Sequence, residues 1–204
     1  LALNATPVFA DIDPNTFNLD PSGLESRITE KTKAIFAVHM HGLPCDMDPI
    51  MSIAEKYGIA VIEDSAQTVL ATYKGRMAGN LGHMSSWSFE NKKHLSTGEG
   101  GMVLTNDEKM GTIARRTAFN GYKILSAGQP LRQLLPEQFQ DPNYERHDTL
   151  GWNFRMNEIT AAVGLAQLER AESIIERRQA VARYFLEAIK DCDWIHPQFV
   201  PETS

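Results

Sequence analysis

The sequence alternates between short apolar runs rich in β-branched residues and segments whose apolar residues recur with a period of 3.6. The runs TPVFADID, KAIFAVH, IAVIED, SSWSF and GMVLTND are typical of strands, and KAIFAVH is predicted to be a buried strand. Amphipathic segments lie between several of them. This alternation predicts an α/β fold with a mostly parallel sheet flanked by helices.

Two early helices carry clear start and stop signals. In DPSGLESRI, Asp20 is predicted to be the N-cap and Pro21 the first helical residue. In DMDPIMSIAEKYG, Asp48 is predicted to cap a helix that begins at Pro49 and ends at Gly58. The apolar face of this second helix recurs at i, i+3, i+4 and i+7, which predicts that it packs on the sheet.

The second half of the sequence predicts three more helices and one long irregular segment. DEKMGTIARRTAF has an acidic start and a basic end, which suit the helix dipole. Residues 120–150 show no sustained period and are predicted to form an irregular insertion. Two amphipathic helices follow, with apolar faces formed by Ile159, Ala162, Val163 and Ala166 in one and by Val181, Tyr184, Phe185 and Ala188 in the other.

Composition argues against several classes of protein. The 204 residues carry a net charge of −6 with both signs dispersed, so no basic face for nucleic acid is expected. No run of about 18 apolar residues predicts a membrane span. Cys45 and Cys192 are far apart, which fits a reducing cytoplasm better than a disulfide framework. The chain opens without Met inside an apolar run and ends without a closing element, so we expect it to be a piece of a longer protein.

One short cluster could hold a metal in principle. His39, His41 and Cys45 form an H-x-H-x3-C pattern. A closed zinc site needs four ligands, and no fourth ligand is evident in the sequence. We therefore expect no metal.

The segment SFENKKHLSTGEGG, residues 88–101, joins two predicted strands. Its glycine spacing fits neither GxxxxGK[ST] nor GxGxxG, which argues against those nucleotide sites. Lys93 could instead be a covalent amine, because enclosure disfavours the ammonium form and leaves a nucleophile for carbonyls. The neighbouring glycines would let the backbone pass close to a flat cofactor.

Asp64 ends the strand IAVIED, at the edge where open parallel sheets bind ligands. Pyridoxal phosphate (PLP) chemistry needs a lysine for the imine and an anion at the pyridinium nitrogen. Lys93 and Asp64 together meet that need. Taken alone, Lys93 is equally well explained as a solvated loop amine. Asp64 is equally well explained as a turn or cap carboxylate.

Four motifs occur in the order VHMHGLPCDMDPI, VIEDSAQ, SFENKKHLSTGEGG and GWNFRMNEITAAVGLAQLER. Together they resemble the DegT/DnrJ/EryC1/StrS family of PLP-dependent sugar-nucleotide aminotransferases. This resemblance implies PLP transferase fold type I. The resemblance covers nearly the whole chain. It implies that residues 1–170 are the PLP-binding large domain without its N-terminal part. Residues 171–204 would then be a connecting helix and the beginning of a small C-terminal domain.

The resemblance also implies roles for individual residues in cofactor binding. The covalent lysine falls on Lys93 rather than Lys92, because the family pattern reads Lys, His or Asn, two residues, then Thr-Gly-acid-Gly-Gly. Asp64 matches the pyridinium partner and Gln67 the residue that hydrogen-bonds the ring hydroxyl. Ser88 matches a phosphate ligand.

Four further residues complete the expected site. Ala66 is expected among the cofactor-binding residues, and His94 and His39 are candidate substrate contacts. His94 is equally well explained as packing behind the cofactor. Asn153 matches an asparagine that reaches into the neighbouring subunit's site, which implies a homodimer with shared active sites.

The function implied by the resemblance is transfer of an amino group, from glutamate, to a nucleotide-linked keto-sugar in amino-sugar biosynthesis for surface polysaccharides or glycosylated metabolites. Relatives with His at the lysine position are sugar dehydratases, and Lys93 speaks against that activity. Amination of cyclitols or aminoshikimate precursors stays open. A truncated, catalytically inactive paralogue also stays open, as does the activity of these 204 residues alone.

Overall fold

The computed structural model describes residues 3–129 and 136–201. The strands are β1 (Ala34–Val38), β2 (Ala60–Asp64), β3 (Thr72–Tyr73), β4 (Arg76–Met77), β5 (Met84–Ser88) and β6 (Gly101–Leu104). The helices are α1 (Pro21–Leu24), α2 (Met47–Tyr57), α3 (Glu108–Ala118), α4 (Pro136–Gln140), α5 (Glu158–Leu168) and α6 (Ala171–Ile189). Short 3₁₀ turns cover Glu25–Arg27 and Met40–Gly42.

The main sheet has the strand order β1-β2-β5-β6. β1, β2 and β5 are parallel, whereas β6 is antiparallel to β5. Val38 pairs with Asp64, and Asp64 pairs with Ser86. The three parallel strands therefore end at one edge of the sheet. The α/β class with a mostly parallel sheet flanked by helices is confirmed.

The core lies between α2 and the sheet. Met47, Ile50 and Ala54 are buried on one face of α2, and they belong to one cluster with Ile35 of β1 and Val61 of β2. Full burial of an aliphatic side chain contributes roughly 1.5–3 kcal/mol. This face of α2 is therefore a principal support of the sheet.

Two of the predicted helix ends are confirmed. The Asp20 side chain caps α1 by accepting a 2.8 Å hydrogen bond from the Ser22 N–H. Gly58 ends α2 in the left-handed conformation, with φ 63°, and its N–H donates to carbonyls of the last turn. Both signals are local in sequence, which is why they could be recognised without knowledge of the tertiary structure.

The predicted capping role of Asp48 is wrong. α2 begins at Met47, so Asp48 lies in the first turn, and Asp46 occupies the N-cap position without a side-chain cap. The Asp48 carboxylate instead binds the side chains of Lys74 and Arg76. Lys74 lies in the turn between β3 and β4 and Arg76 begins β4, so Asp48 fastens that hairpin to α2.

The β3–β4 hairpin was not predicted. Its turn residues Lys74 and Gly75 both have positive φ, 50° and 75°, as in a two-residue type I′ turn. Strands of two residues are too short to show the alternating pattern that identifies strands in a sequence.

Two strand predictions need correction. TPVFADID forms no strand in the described residues, where the only pairing in this run is an isolated bridge between Ile12 and Leu19. KAIFAVH does form β1, but only one face is buried: Ile35 and Ala37 point into the core, whereas Phe36 is 64% exposed.

The predicted irregular insertion is organised by Arg116 of α3. Its guanidinium donates to the carbonyls of Leu125 and Lys123, both at 2.9 Å, and pairs with the Asp148 carboxylate. The only helix within the described parts of residues 120–150 is the short α4; residues 130–135 lie outside them. Side-chain hydrogen bonds to main-chain carbonyls thus give shape to a segment without a repeating pattern.

Helices α5 and α6 form where the sequence predicts helices. Asn157 caps α5 by accepting from the Thr160 N–H at 2.9 Å. The predicted apolar faces of both helices are, however, exposed in the described part of the chain. α5 contacts the loop between β5 and β6 through small residues, with Gly164 against Thr97. In the described ranges 3–129 and 136–201, no helix is long and apolar enough to cross a bilayer.

Candidate active site

The candidate site lies at the edge where the parallel strands end. Asp64 is the last residue of β2 and Ser88 the last residue of β5. Because Asp64 pairs with Ser86, Ser88 lies two residues further along the neighbouring strand at the same edge. The loop that carries Lys93 leaves this edge directly after Ser88. Topology thus brings the predicted residues of two separate motifs to one part of the sheet.

The Asp64 carboxylate is half-buried and is held by the turn that follows it. Its Oδ1 accepts a 3.0 Å hydrogen bond from the Ala66 N–H. The Ser65 N–H continues the ladder by donating to the Ser86 carbonyl at 2.9 Å. Oδ2 of Asp64 has no polar partner in the described residues, so it can accept a hydrogen bond from a ligand.

Gln67 has its amide orientation fixed by the loop after β1. The His41 N–H donates to Gln67 Oε1 at 2.8 Å. Because Gln67 Oε1 accepts this hydrogen bond, the identity of the two amide atoms is settled. The Nε2 group of Gln67 has no partner among the described residues. Gln67 can therefore donate to an oxygen of a ligand.

The loop between β5 and β6 is closed by backbone hydrogen bonds on Phe89. Its N–H donates to the Gly100 carbonyl, and its carbonyl accepts from the Thr97 N–H, both at 2.9 Å. Ser88 Oγ accepts only a long 3.4 Å bond from the Glu90 N–H, so its hydroxyl hydrogen remains available to a ligand.

Lys93 lies on this loop with a half-buried side chain. Its N–H donates to the Glu90 carbonyl at 3.0 Å in a tight turn. The amine has no hydrogen bond or ion pair to any residue that the structure describes, whereas most buried or half-buried amines in proteins have a partner. Lys92 is exposed, as expected for a neighbour without a role in the site.

His94 follows Lys93 and is half-buried. Its Nδ1 is buried without a hydrogen-bond partner in the described part of the chain. Burial lowers the pKa of the imidazole, and the positive charges of Arg178 on α6 and of Lys93 lower it further. His94 is therefore neutral near pH 7. Its contact with substrate is not tested by these distances and stays a prediction.

His39 does not have the geometry of a substrate contact. Its side chain is fully buried, and Nε2 lies 2.9 Å from Glu63 Oε2. The other ring nitrogen, Nδ1, accepts from the Cys45 N–H at 3.1 Å. Both nitrogens are thus used within the chain, and the expectation that His39 touches substrate is wrong for this reason.

Glu63 is a residue of the site region that sequence reasoning missed. It lies in β2 immediately before Asp64, and its side chain points to the opposite face, where it is fully buried. An acidic pair at a strand end resembles a solvated turn in the sequence. The only sequence signal for a buried Glu63 is the position of Glu-Asp at the end of an apolar strand. Neighbouring side chains of a strand point to opposite faces, so one of the two must face inward.

Asn153 is exposed in this chain. Its Oδ1 accepts from Arg155 Nε at 2.7 Å, and it forms an isolated bridge with Phe119. The structure therefore does not bring it together with Asp64, Gln67 or Ser88 by any described contact. The described residues also contain no group of three His, Cys, Asp or Glu side chains placed to hold a metal ion.

The chemistry of the available groups fits PLP. The site offers a free carboxylate oxygen at Asp64, a free amide donor at Gln67 and an unpaired amine at Lys93. These are an acceptor for a ring N–H, a donor for a ring oxygen and a nucleophile for an aldehyde. Ser88 adds a hydroxyl donor at the end of β5, as a phosphate group needs.

Comparison with known proteins places the chain among aminotransferases. The sequence model of the DegT/DnrJ/EryC1/StrS aminotransferase family matches residues 1–204. GDP-perosamine synthase of Caulobacter vibrioides is 43% identical over 182 residues, which are 89% of this chain and 44% of that protein. The chain thus spans about half the length of the curated relatives it matches.

Solved structures agree with this placement. The aminotransferase from Psychrobacter cryohalolentis superposes with a TM-score of 0.83 at 40% identity, covering 93% of this chain and 46% of that one. The Escherichia coli GDP-4-keto-6-deoxy-D-mannose-3-dehydratase with bound hydrated PLP superposes with a TM-score of 0.82 at 30% identity, covering 96% of this chain and 50% of that one.

Proposed function

Because the chain belongs to the DegT/DnrJ/EryC1/StrS aminotransferase family, we propose that it is the PLP-binding part of an aminotransferase that transfers an amino group from glutamate to a nucleotide-linked keto-sugar. A relative is named for GDP-perosamine, and a structural neighbour is named for a GDP-linked keto-sugar and carries PLP. The enzyme would act in the cytoplasm, where Cys45 and Cys192 stay reduced; both are free in this chain.

The observation that carries this proposal is the set of unused polar groups at one edge of the sheet. Lys93 would bind the cofactor covalently, Asp64 would hold its ring nitrogen and Gln67 its ring oxygen. The Ala66 N–H would keep the Asp64 carboxylate in place, and Ser88 would bind the phosphate. When bound, PLP supplies an electron sink for the negative charge that develops at the Cα of an amino acid.

The residues of the chain would then share the remaining work. The Asp64 carboxylate keeps a proton on the ring nitrogen, because a charge pair is favoured in a partly buried site. Gln67 Nε2 would donate a hydrogen bond to the ring oxygen. Once the amino donor has displaced Lys93 from the cofactor, Lys93 Nζ would be free to take the proton from the donor's Cα and, in the second half of the reaction, to return a proton to the substrate carbon.

The substrates are inferred from the family and from the charge of the site. Glutamate and a nucleotide-linked sugar are both anionic. Beside His94, the positive charge of Arg178 on α6 would favour the binding of such anionic substrates.

We also propose a homodimer in which Asn153 of one copy reaches the cofactor of the other. Apolar side chains surround Asn153 and are left exposed by the described chain: Trp152 is 65% exposed and Phe154 71% exposed. Large exposed apolar side chains that adjoin a polar functional residue are typical of a subunit interface.

The proposal is tested with the full-length protein, glutamate and a GDP-linked 4-keto-6-deoxy sugar. We expect formation of 2-oxoglutarate and of an amino sugar in equal amounts, both dependent on PLP. Lys93→Ala should abolish both products, whereas Lys92→Ala, a matched loss of the adjacent exposed amine, should leave them within a few-fold. Loss of the C3 hydroxyl without an amino product would instead identify a dehydratase and would refute the proposed reaction.

A further inference from the structure

All four polar groups of His39 are bonded within the chain. Its N–H donates to the Asp64 carbonyl at 3.2 Å, and its carbonyl accepts from the Gly42 N–H at 3.3 Å. The Cys45 N–H can only donate, so Nδ1 of His39 is the acceptor and Nε2 carries the hydrogen that bonds to Glu63. His39 is therefore a neutral imidazole that is bonded on both sides.

Glu63 is the fixed partner that holds this imidazole. Its two oxygens accept from the N–H groups of Gly79, Leu81 and Gly82 at 2.6–2.8 Å as well as from His39. Burial acts to raise the pKa of the Glu63 carboxyl, but the bonds from His39 and from the backbone outweigh it, and the pKa is lowered overall. A carboxylate bonded in this way ties the end of β1, β2 and the turn before β5 together.

His39 also begins the loop that orients Gln67. His41, two residues on, has the left-handed φ of 57°, which is unfavourable for a residue with a side chain, and its N–H donates to Gln67 Oε1. Gly42 lies so close that a Cβ there would be 2.9 Å from the Gln67 carbonyl oxygen. Such a backbone persists only where its surroundings hold it, and the bonds of His39 hold the start of this loop.

We propose that His39 and Glu63 are positioning residues which set the Gln67 amide so that its Nε2 group faces the ring oxygen of the cofactor. The proposal rests on the proposed function, because it assumes that Gln67 bonds that oxygen. His39 acts from within the core and without contact to substrate. Its effect passes through the backbone of His41 to Gln67 Oε1.

The test is the pH at which the visible absorbance of bound PLP changes in the full-length protein. A donor on the ring oxygen stabilises the anionic oxygen and weakens its hold on the proton of the adjacent lysine linkage. Gln67→Ala should therefore raise the midpoint by about one pH unit, the order of a lost hydrogen bond to a charged group. His39→Leu should raise it in the same direction, and His39→Gln, which can still donate to Glu63, should raise it less.

A double variant separates positioning from general damage. If His39 acts through Gln67, His39→Leu combined with Gln67→Ala should shift the midpoint no further than Gln67→Ala alone. Tyr73→Phe is the matched control, since it removes a buried side-chain hydrogen bond to Asp46 that does not involve the loop, and its midpoint should not change.

Distinct outcomes refute the two proposals separately. If the wild-type protein shows no PLP absorbance, the proposed function fails. If it binds PLP but the folded His39→Leu variant keeps the wild-type midpoint, or adds its shift to that of Gln67→Ala, the positioning role is wrong. Should His39→Leu not fold, Gly42→Ala decides the matter: it displaces the loop from Gln67 without touching the core, and an unchanged midpoint would refute the role.

Discussion

Replacing Glu63 by Gln should strongly destabilise the protein. Each oxygen of this buried carboxylate accepts two hydrogen bonds: Oε1 from Leu81 and Gly82, and Oε2 from Gly79 and His39. A glutamine amide has one oxygen, so in either orientation its NH₂ group faces two donors. Two bonds to a charged acceptor are lost, each contributing roughly 1.5–3 kcal/mol. We expect a net loss of about 3–6 kcal/mol, the contribution of the two bonds together.

The assay is urea unfolding of the full-length protein near pH 7. Glu55→Gln is the control, because Glu55 is exposed on α2 and its loss of charge should change the free energy of unfolding by less than about 0.5 kcal/mol. A Glu63→Gln variant that is as stable as the Glu55→Gln control would refute the description of Glu63 as a saturated buried acceptor.

The pH dependence has a defined sign. Burial opposes ionisation of Glu63, but hydrogen bonds from His39 and the backbone lower its pKa in the folded state from the ordinary value of 4.5. Its contribution to stability is therefore fully present above about pH 4.5 and is lost as the pH falls through the lower folded-state pKa. The difference in stability between wild type and Glu63→Gln should shrink over that acidic range; a constant difference would contradict the lowered pKa.

Three other predictions concern the fold around the site. Ile50→Ala removes a fully buried side chain from the face of α2 that supports the sheet, and it should lower the free energy of unfolding in urea by roughly 2–5 kcal/mol. Ile53 is only half-buried, so Ile53→Ala should cost clearly less. Equal costs would contradict the assigned core face. Burial and the nearby charge of Glu63 raise the pKa of the Cys45 thiol to about 12, so iodoacetamide at pH 8 should label the more exposed Cys192 first in the native protein, and early labelling of Cys45 would be a contrary result. Arg116→Ala removes the hydrogen bonds to the carbonyls of Lys123 and Leu125. Limited proteolysis should therefore cut residues 121–150 at least several-fold faster than in the control Arg177→Ala, which changes an exposed residue of α6. Equal rates would show that Arg116 does not order the segment.

Local signals predicted the fold well, and tertiary signals were missed. Asp20 before a proline and Gly58 after an apolar face identify helix ends from a few neighbouring residues. Asp46 and Asp48 flank the start of α2 equally well in sequence, and only the hairpin cations decide that Asp48 pairs with side chains. The run TPVFADID has strand composition, but a strand also needs a neighbour, and composition carries no information about pairing.

The same distinction applies to the site. Lys93 and Asp64 could be selected as a pair because PLP chemistry requires both residue types, and the topology places Asp64 and Ser88 at one sheet edge. The role of His39 could not be read from sequence, because a histidine beside a candidate site looks the same whether it faces substrate or core. Its bonds to Glu63 and Cys45 decide this, and they join residues 24 and 6 positions apart in sequence.

We propose that Lys93 is the amine that binds PLP. The direct measurement is borohydride reduction of the full-length protein after incubation with PLP, followed by mass mapping of the reduced adduct. We expect a single stoichiometric adduct on Lys93, absent in Lys93→Ala and retained in Lys92→Ala. An adduct on Lys92, adducts spread over exposed lysines, or no adduct at all would contradict it.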